Sequence, residues 1–162
     1  MTEIALYMNE LGVTLRSGGA KGADDAFEKG AGENKEIYLH RRESNGRISN
    51  GSSIIDASKL PGWKDCILDA LRVHPSPSNL NGYALELHAR NVNQVLGRDR
   101  STPSTFLICY SVQIGDNLYG GTATAIRIAQ EHKVPVINLF NNEKCEEEIM
   151  SELSLIVMAA SR

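Results

Sequence analysis

The sequence predicts an α/β fold of three layers, Rossmann-like, with a mainly parallel sheet carrying helices on both faces. Three observations predict it. Twice the chain reads as a short strand, a Gly-rich turn, a helix and a second strand, over Val13–Leu39 and again over Ser104–Leu139. Parallel strands need such crossover helices, which cover the sheet they connect. Ser104–Tyr110 (STFLICY) and Val134–Leu139 (VPVINL) are continuous apolar runs, as strands buried on both faces require.

The elements follow in order. Thr2–Leu11 places Ile4, Ala5, Met8 and Leu11 on one helical stripe, with Thr2 as cap and Gly12 as stop. Val13–Arg16 is a short β-type run ending at Ser17-Gly18-Gly19. From Gly22 the pattern is helical, with Ala23, Ala26 and Phe27 apolar, until Gly30 and Gly32 end it. Glu36–Leu39 reads as the next strand. Residues 41–60 are rich in Ser, Asn and Gly and read as a long loop or flap, mobile unless a ligand orders it. Trp63–Val73 and Asn81–Leu96 read as helices, closed by His74-Pro75 and by Gly97. Gly120-Gly121-Thr122 opens a helix running to His132. Glu143–Glu152 is an acidic helix, and Leu153–Ala160 reads either as its continuation or as a late strand.

With 162 residues the chain forms a single domain, 1–162, able to bury a sizeable core. A net charge of −3 disfavours a broad grip on nucleic acid without excluding a local basic pocket. Cys66, Cys109 and Cys145 are odd in number and widely spaced, which disfavours a disulfide framework or zinc site and fits a reducing cytoplasm. Two Glu and no basic run at the N-terminus speak against a signal peptide, and no apolar run reaches membrane-span length. A cytoplasmic location is expected, with no cofactor and no metal.

The two Gly turns carry the functional reading. In a parallel sheet, ligands sit beyond the carboxyl ends of the strands, where both turns lead into helix N-termini. Free N–H groups and the positive end of the helix dipole favour phosphate there. Arg16, Ser17, Gly18, Gly19, Ala20, Lys21, Gly22 and Asp24 form the first turn; Gly120, Gly121, Thr122 and Thr124 form the second. Asp24 reads as a helix cap, a ribose contact or a base. His40 closes a strand at the same edge, beside Arg41 and Arg42, whereas His74, His88 and His132 read as structural or exposed. Glycine also makes tight turns with no ligand, and neither turn matches a P-loop or the dinucleotide fingerprint.

LRSGGAKGADDAFEKGA (15–31) followed by KEIYL resembles the SLOG superfamily, which joins the DNA-processing protein A (DprA/Smf) Rossmann-like domain and the "lonely guy" (LOG) proteins. It is most similar to phage and bacterial members described as DprA-like or YspA-like. The resemblance runs through His74-Pro75, His88-Ala89-Arg90-Asn91 and GGTATAIRIAQEHKVPVINL (120–139), covering nearly the whole chain. It implies a Rossmann-like fold that binds nucleotides, nucleotide-derived signals or single-stranded DNA, often in oligomers paired through helices beside the site. It also implies a pocket role for Arg90, with Asn91 beside it, against which a solvated helix arginine is the alternative.

Two departures qualify that implication. Relatives begin with an apolar strand and turn upstream of the first helix, which this sequence lacks; Leu153–Arg162, ending Ala-Ser-Arg, is a candidate to fill the gap. LOG-type phosphoribohydrolases carry PGGxGTxxE, and here the Glu position is Arg127. A fixed cation there attracts a second anion rather than assisting glycosidic cleavage. Binding of a nucleotide-type small molecule, as sensor or as a sequestering anti-defence protein, is therefore the leading expectation. An N-glycosidase using Asp24, Glu28 or Glu86 is the alternative. DprA-like single-strand binding ranks last, since 6% aromatics leave few stacking platforms.

Overall fold

The computed structural model describes residues 1–114, 117–118, 120–140 and 142–161. Helix α1 (Thr2–Glu10) leads into strand β1 (Leu15–Ser17), helix α2 (Ala23–Ala31) and strand β2 (Lys35–Leu39). A hairpin of β3 (Glu43–Ser44) and β4 (Arg47–Ile48) precedes β5 (Ile54–Asp56). Helices α3 (Trp63–Val73) and α4 (Gly82–Leu96) follow, then β6 (Leu107–Cys109) and a second hairpin, β7 (Gln113–Ile114) with β8 (Asn117–Leu118). Helix α5 (Thr122–Glu131), β9 (Val136–Asn138) and α6 (Glu146–Ala160) complete the chain.

All sheet pairings outside the two hairpins are parallel, in the orders β1-β2-β5 and β6-β9. Alternating side chains of these strands feed opposite cores, which gives the three layers. Leu107 and Val136 pack into a core built from α3, α4 and α5, with Val92, Val95 and Ile128 at its centre. Ile108 and Ile137 point the other way, into a core with Ile4 and Met8 of α1, Phe27 of α2 and Leu153 of α6. The Rossmann-like α/β arrangement expected from the doubled strand–turn–helix pattern is the one observed.

One segment differs from its sequence reading, and a second decides between its two alternatives. Residues 41–60 are not simply a loop: β3 and β4 pair, and β5 adds a third strand beside β2, with Ile37 opposite Ile54. Leu153–Ala160 continues helix α6 and supplies no strand. Three Glu in its first turn, Glu146 to Glu148, suit the positive end of that helix, and Glu148 accepts from the Cys145 N–H. The sheet accordingly stays in two parts. No helix among the described residues is long and apolar enough to cross a membrane.

Helices α1 and α2 cross closely at Gly30. A Cβ there would lie 2.2 Å from the Thr2 carbonyl oxygen and 2.6 Å from the Leu6 nitrogen, both main-chain atoms that cannot swing aside. Gly30→Ala should therefore destabilise the protein by about 1–3 kcal/mol despite alanine's better helix propensity. Chemical denaturation checks this; a stabilised variant would show that the two helices separate freely.

Candidate functional site

Helix α4 brings the two Gly turns together. Its Arg90 reaches the turn that follows β1, and the neighbouring Asn91 donates from Nδ2 to the Gly121 carbonyl in the second turn at 2.9 Å. One helical turn earlier, His88 Nδ1 meets the Thr124 hydroxyl at 2.6 Å. Ser17, Ala20, Lys21 and Asp24 border a cavity of about 1200 Å³ from one side. His88, Arg90, Asn91, Gly121 and Thr122 border it from the other. Ligand pockets span roughly 300–1,000 Å³, and this one is larger because it continues between β1 and β6.

Arg90 dominates the electrostatics. Its side chain lies against Gly18, where a Cβ would sit 1.3 Å from Nη1, so glycine is required for the guanidinium to occupy this place. Only 8% of the residue is exposed. Among the described residues its one hydrogen bond is a long one, 3.4 Å from Nη1 to the Tyr38 carbonyl, and Nε has no partner. Burial pulls its pKa below the ordinary arginine value, with the charge of Asp24 opposing. No carboxylate forms an ion pair with it among the described residues.

The remaining first-turn residues hold the turn's shape. Ser17 Oγ accepts from the Gly19 N–H at 3.2 Å, and Asp24 accepts from the Ala20 N–H at 3.0 Å. Gly19, at φ 64°, packs on Ile37 and Arg47, and Asn45 of the hairpin donates to its carbonyl. Gly22, at φ 100°, caps α2 and faces open space. So do Gly120, at φ 82°, and Gly121, which caps α5. Close approach of a ligand backbone-to-backbone is thus free at Gly22, Gly120 and Gly121, while Gly18 and Gly19 serve side chains of the protein itself.

Several expected site residues lie elsewhere. Arg16 is drawn to the opposite end of β1, where it binds Glu36 at 3.2 Å and donates to the Thr102 carbonyl at 2.7 Å. It also borders the cavity, and it shares Glu36 with Arg98. His40 is buried in a separate cluster, sharing a hydrogen bond with Ser44, stacking edge-on against Tyr83 and facing Glu86 across 3.9 Å. Thr124 is fully buried and engaged by His88. Arg127 is half-buried, with Nη1 shielded and unpartnered. Of the candidate acids, Glu28 binds Arg47 and Glu86 binds Arg41.

His88 was the residue that sequence reasoning missed. Its signal was its spacing: three residues before Asn91 on α4, it shares that residue's face. Burial, the adjacent His74 and then Arg90 lower the His88 pKa. Burial and Arg41 do the same for His40, against Glu86. Both histidines therefore favour the neutral form when folded, and the unfolded chain binds more protons below its ordinary value of about 6.5. Stability contributed by these sites is full above that pH and is lost as pH falls through the lowered folded values. Denaturation measured between pH 7.5 and 5 should show this decline, with a shallower slope in His88→Gln; an unchanged slope would count against the assignment.

Comparison with protein families, curated proteins and solved structures returned no match. Fold and site together define a three-layer α/β protein with a cavity at the carboxyl edge of its strands, framed by two Gly turns and a buried arginine.

Proposed function

We propose that the protein binds a nucleotide or nucleotide-derived small molecule, with a phosphate at Arg90 between the two Gly turns. The observation that carries this reading is a guanidinium buried beside a cavity with no ion-pair partner among the described residues. Burying an unpaired charge is costly, and folded proteins keep such a group where a partner compensates it. The N–H groups at the start of α5 and the open backbone at Gly120 and Gly121 add donors suited to the same anion. Lys21 and Thr122, also on the cavity wall, extend the polar rim. Apolar side chains deeper in the cavity suit a base or another flat apolar group.

The resemblance to the SLOG superfamily supports the same ligand class and a role as sensor or sequestering protein. As for an N-glycosidase, Asp24 alone of its candidate acids borders the cavity, and its carboxylate is occupied in holding the first turn. Binding is therefore the function we assign, without a reaction.

Calorimetric titration with nucleoside monophosphates, NAD, the parent nucleosides and inorganic phosphate tests the reading. At least one phosphate-bearing compound should bind saturably and its dephosphorylated parent much more weakly. Mass spectrometry of small molecules released from the purified protein should find an anionic, ultraviolet-absorbing species. Failure of every phosphate-bearing compound to bind, with nothing released, would overturn it.

A further inference from the structure

Tyr110, the residue after β6, is 53% exposed, yet its surroundings hold it firmly in place. Asn138 ends β9 opposite Cys109, and its side-chain amide reaches along to the main chain beyond Tyr110. Its Oδ1 accepts from the Ser111 N–H at 3.0 Å, and its Nδ2 donates to the Ser111 carbonyl at 2.8 Å. The same Oδ1 accepts from the Phe140 N–H at 3.1 Å. One side chain thus ties down the backbone beside both aromatic residues. The two rings then meet at 5.6 Å between centroids and 85° between planes, a favoured geometry for an aromatic pair. An edge-to-face contact fixes a ring without covering both of its faces.

A single exposed aromatic side chain is ordinary. One that borders a cavity and is supported from behind by packing and hydrogen bonds has the construction of a binding site. Tyr110 borders the same cavity as Arg90, Gly121 and Thr122, so the cavity offers an aromatic face besides an anion position. Tyr83 is as exposed, at 54%, but Arg41 and His40 already occupy its ring and it does not border the cavity. The depth of the cavity also has room for a flat group, between Ile4, Met8 and Phe27. Those side chains offer no hydrogen bonds, and the ring nitrogens and exocyclic groups of a nucleobase would lose their water among them. Tyr110 takes one face of a base and leaves its polar edges hydrated.

Resting on the phosphate reading, we propose that Tyr110 is the platform on which the ligand's nucleobase stacks. It is then the residue that selects base-bearing phosphates over plain sugar phosphates. Every base has a π face, so the selection is for a base and not for one particular base.

Calorimetric titration of the whole protein with the four ribonucleoside 5′-monophosphates and with ribose 5-phosphate tests this, alongside Tyr110→Ala and Tyr110→Phe. The best-bound monophosphate should bind the wild-type protein roughly tenfold more tightly than ribose 5-phosphate, the factor that stacking one base on an aromatic ring provides. Tyr110→Ala should lose that preference and bind ribose 5-phosphate as the wild type does, which also shows that the variant is folded. Tyr110→Phe should keep the preference. Equal binding of monophosphates and ribose 5-phosphate by the wild type, or a preference that survives in Tyr110→Ala, would overturn the role of Tyr110 and leave the phosphate position standing. Binding of none of the five compounds would overturn both.

Discussion

Replacing Arg90 with methionine should raise the melting temperature of the ligand-free protein while abolishing its response to phosphate-bearing nucleotides. Two effects of opposite sign meet at this residue. In the free protein the guanidinium is buried and, among the described residues, lacks an ion-pair partner and makes one long hydrogen bond, so its desolvation is poorly compensated. Methionine has a similar reach, fills irregular space and removes the charge. Replacing buried charges by well-packed apolar groups is often neutral or stabilising by about 1–4 kcal/mol. In a protein of this size each kcal/mol moves the melting temperature by about 2–4 °C. Bound phosphate reverses the sign, because the arginine then gains a charge-assisted bond that methionine cannot make. Melting curves of both proteins, with and without a nucleoside monophosphate, give the four numbers needed. A variant that melts lower when free, yet still responds to the nucleotide, would show that Arg90 is structural.

How far the sequence disclosed this arrangement depended on whether the signal was local. Apolar runs such as Val134–Leu139, and the helical stripes of α3 and α4, are periodic over several residues and were legible. Strand β5 was not, because Ile54 and Ile55 are its only apolar residues and polar Ser, Asn and Gly precede them. It is a strand through its pairing with β2, a contact that no short window contains. The site divides the same way. Gly18 and Arg90 were both named from the sequence, but as two ligand contacts; the fold shows the glycine making room for the arginine. Arg16 and Arg90 are the same residue type near the same strand. Only the position of Glu36 on β2, which Arg98 also contacts, and of Thr102 before β6 separates the hydrogen-bonded arginine from the one without an ion pair among the described residues.

That steric relation between Gly18 and Arg90 gives the second large effect, and it is testable without any ligand. Gly18 is not among the glycines with positive φ, so alanine meets no backbone obstacle there. The whole penalty of Gly18→Ala arises from the side chain, since its Cβ would fall 1.3 Å from Nη1 and 2.1 Å from Cζ of Arg90. Displacing a buried guanidinium should destabilise the protein by about 1–3 kcal/mol, as overpacking does elsewhere. It should also weaken nucleotide binding, because the arginine leaves its place between the turns. In an Arg90→Ala background the obstruction is gone, and Gly18→Ala should then cost close to nothing. The double-mutant cycle therefore returns a coupling comparable to the single-variant loss, near the upper part of the 0.5–3 kcal/mol range of contacting residues. Additive effects would instead mean that Gly18 is needed for the course of the backbone itself. Arg90 would then lose the specific seat on which the phosphate reading depends.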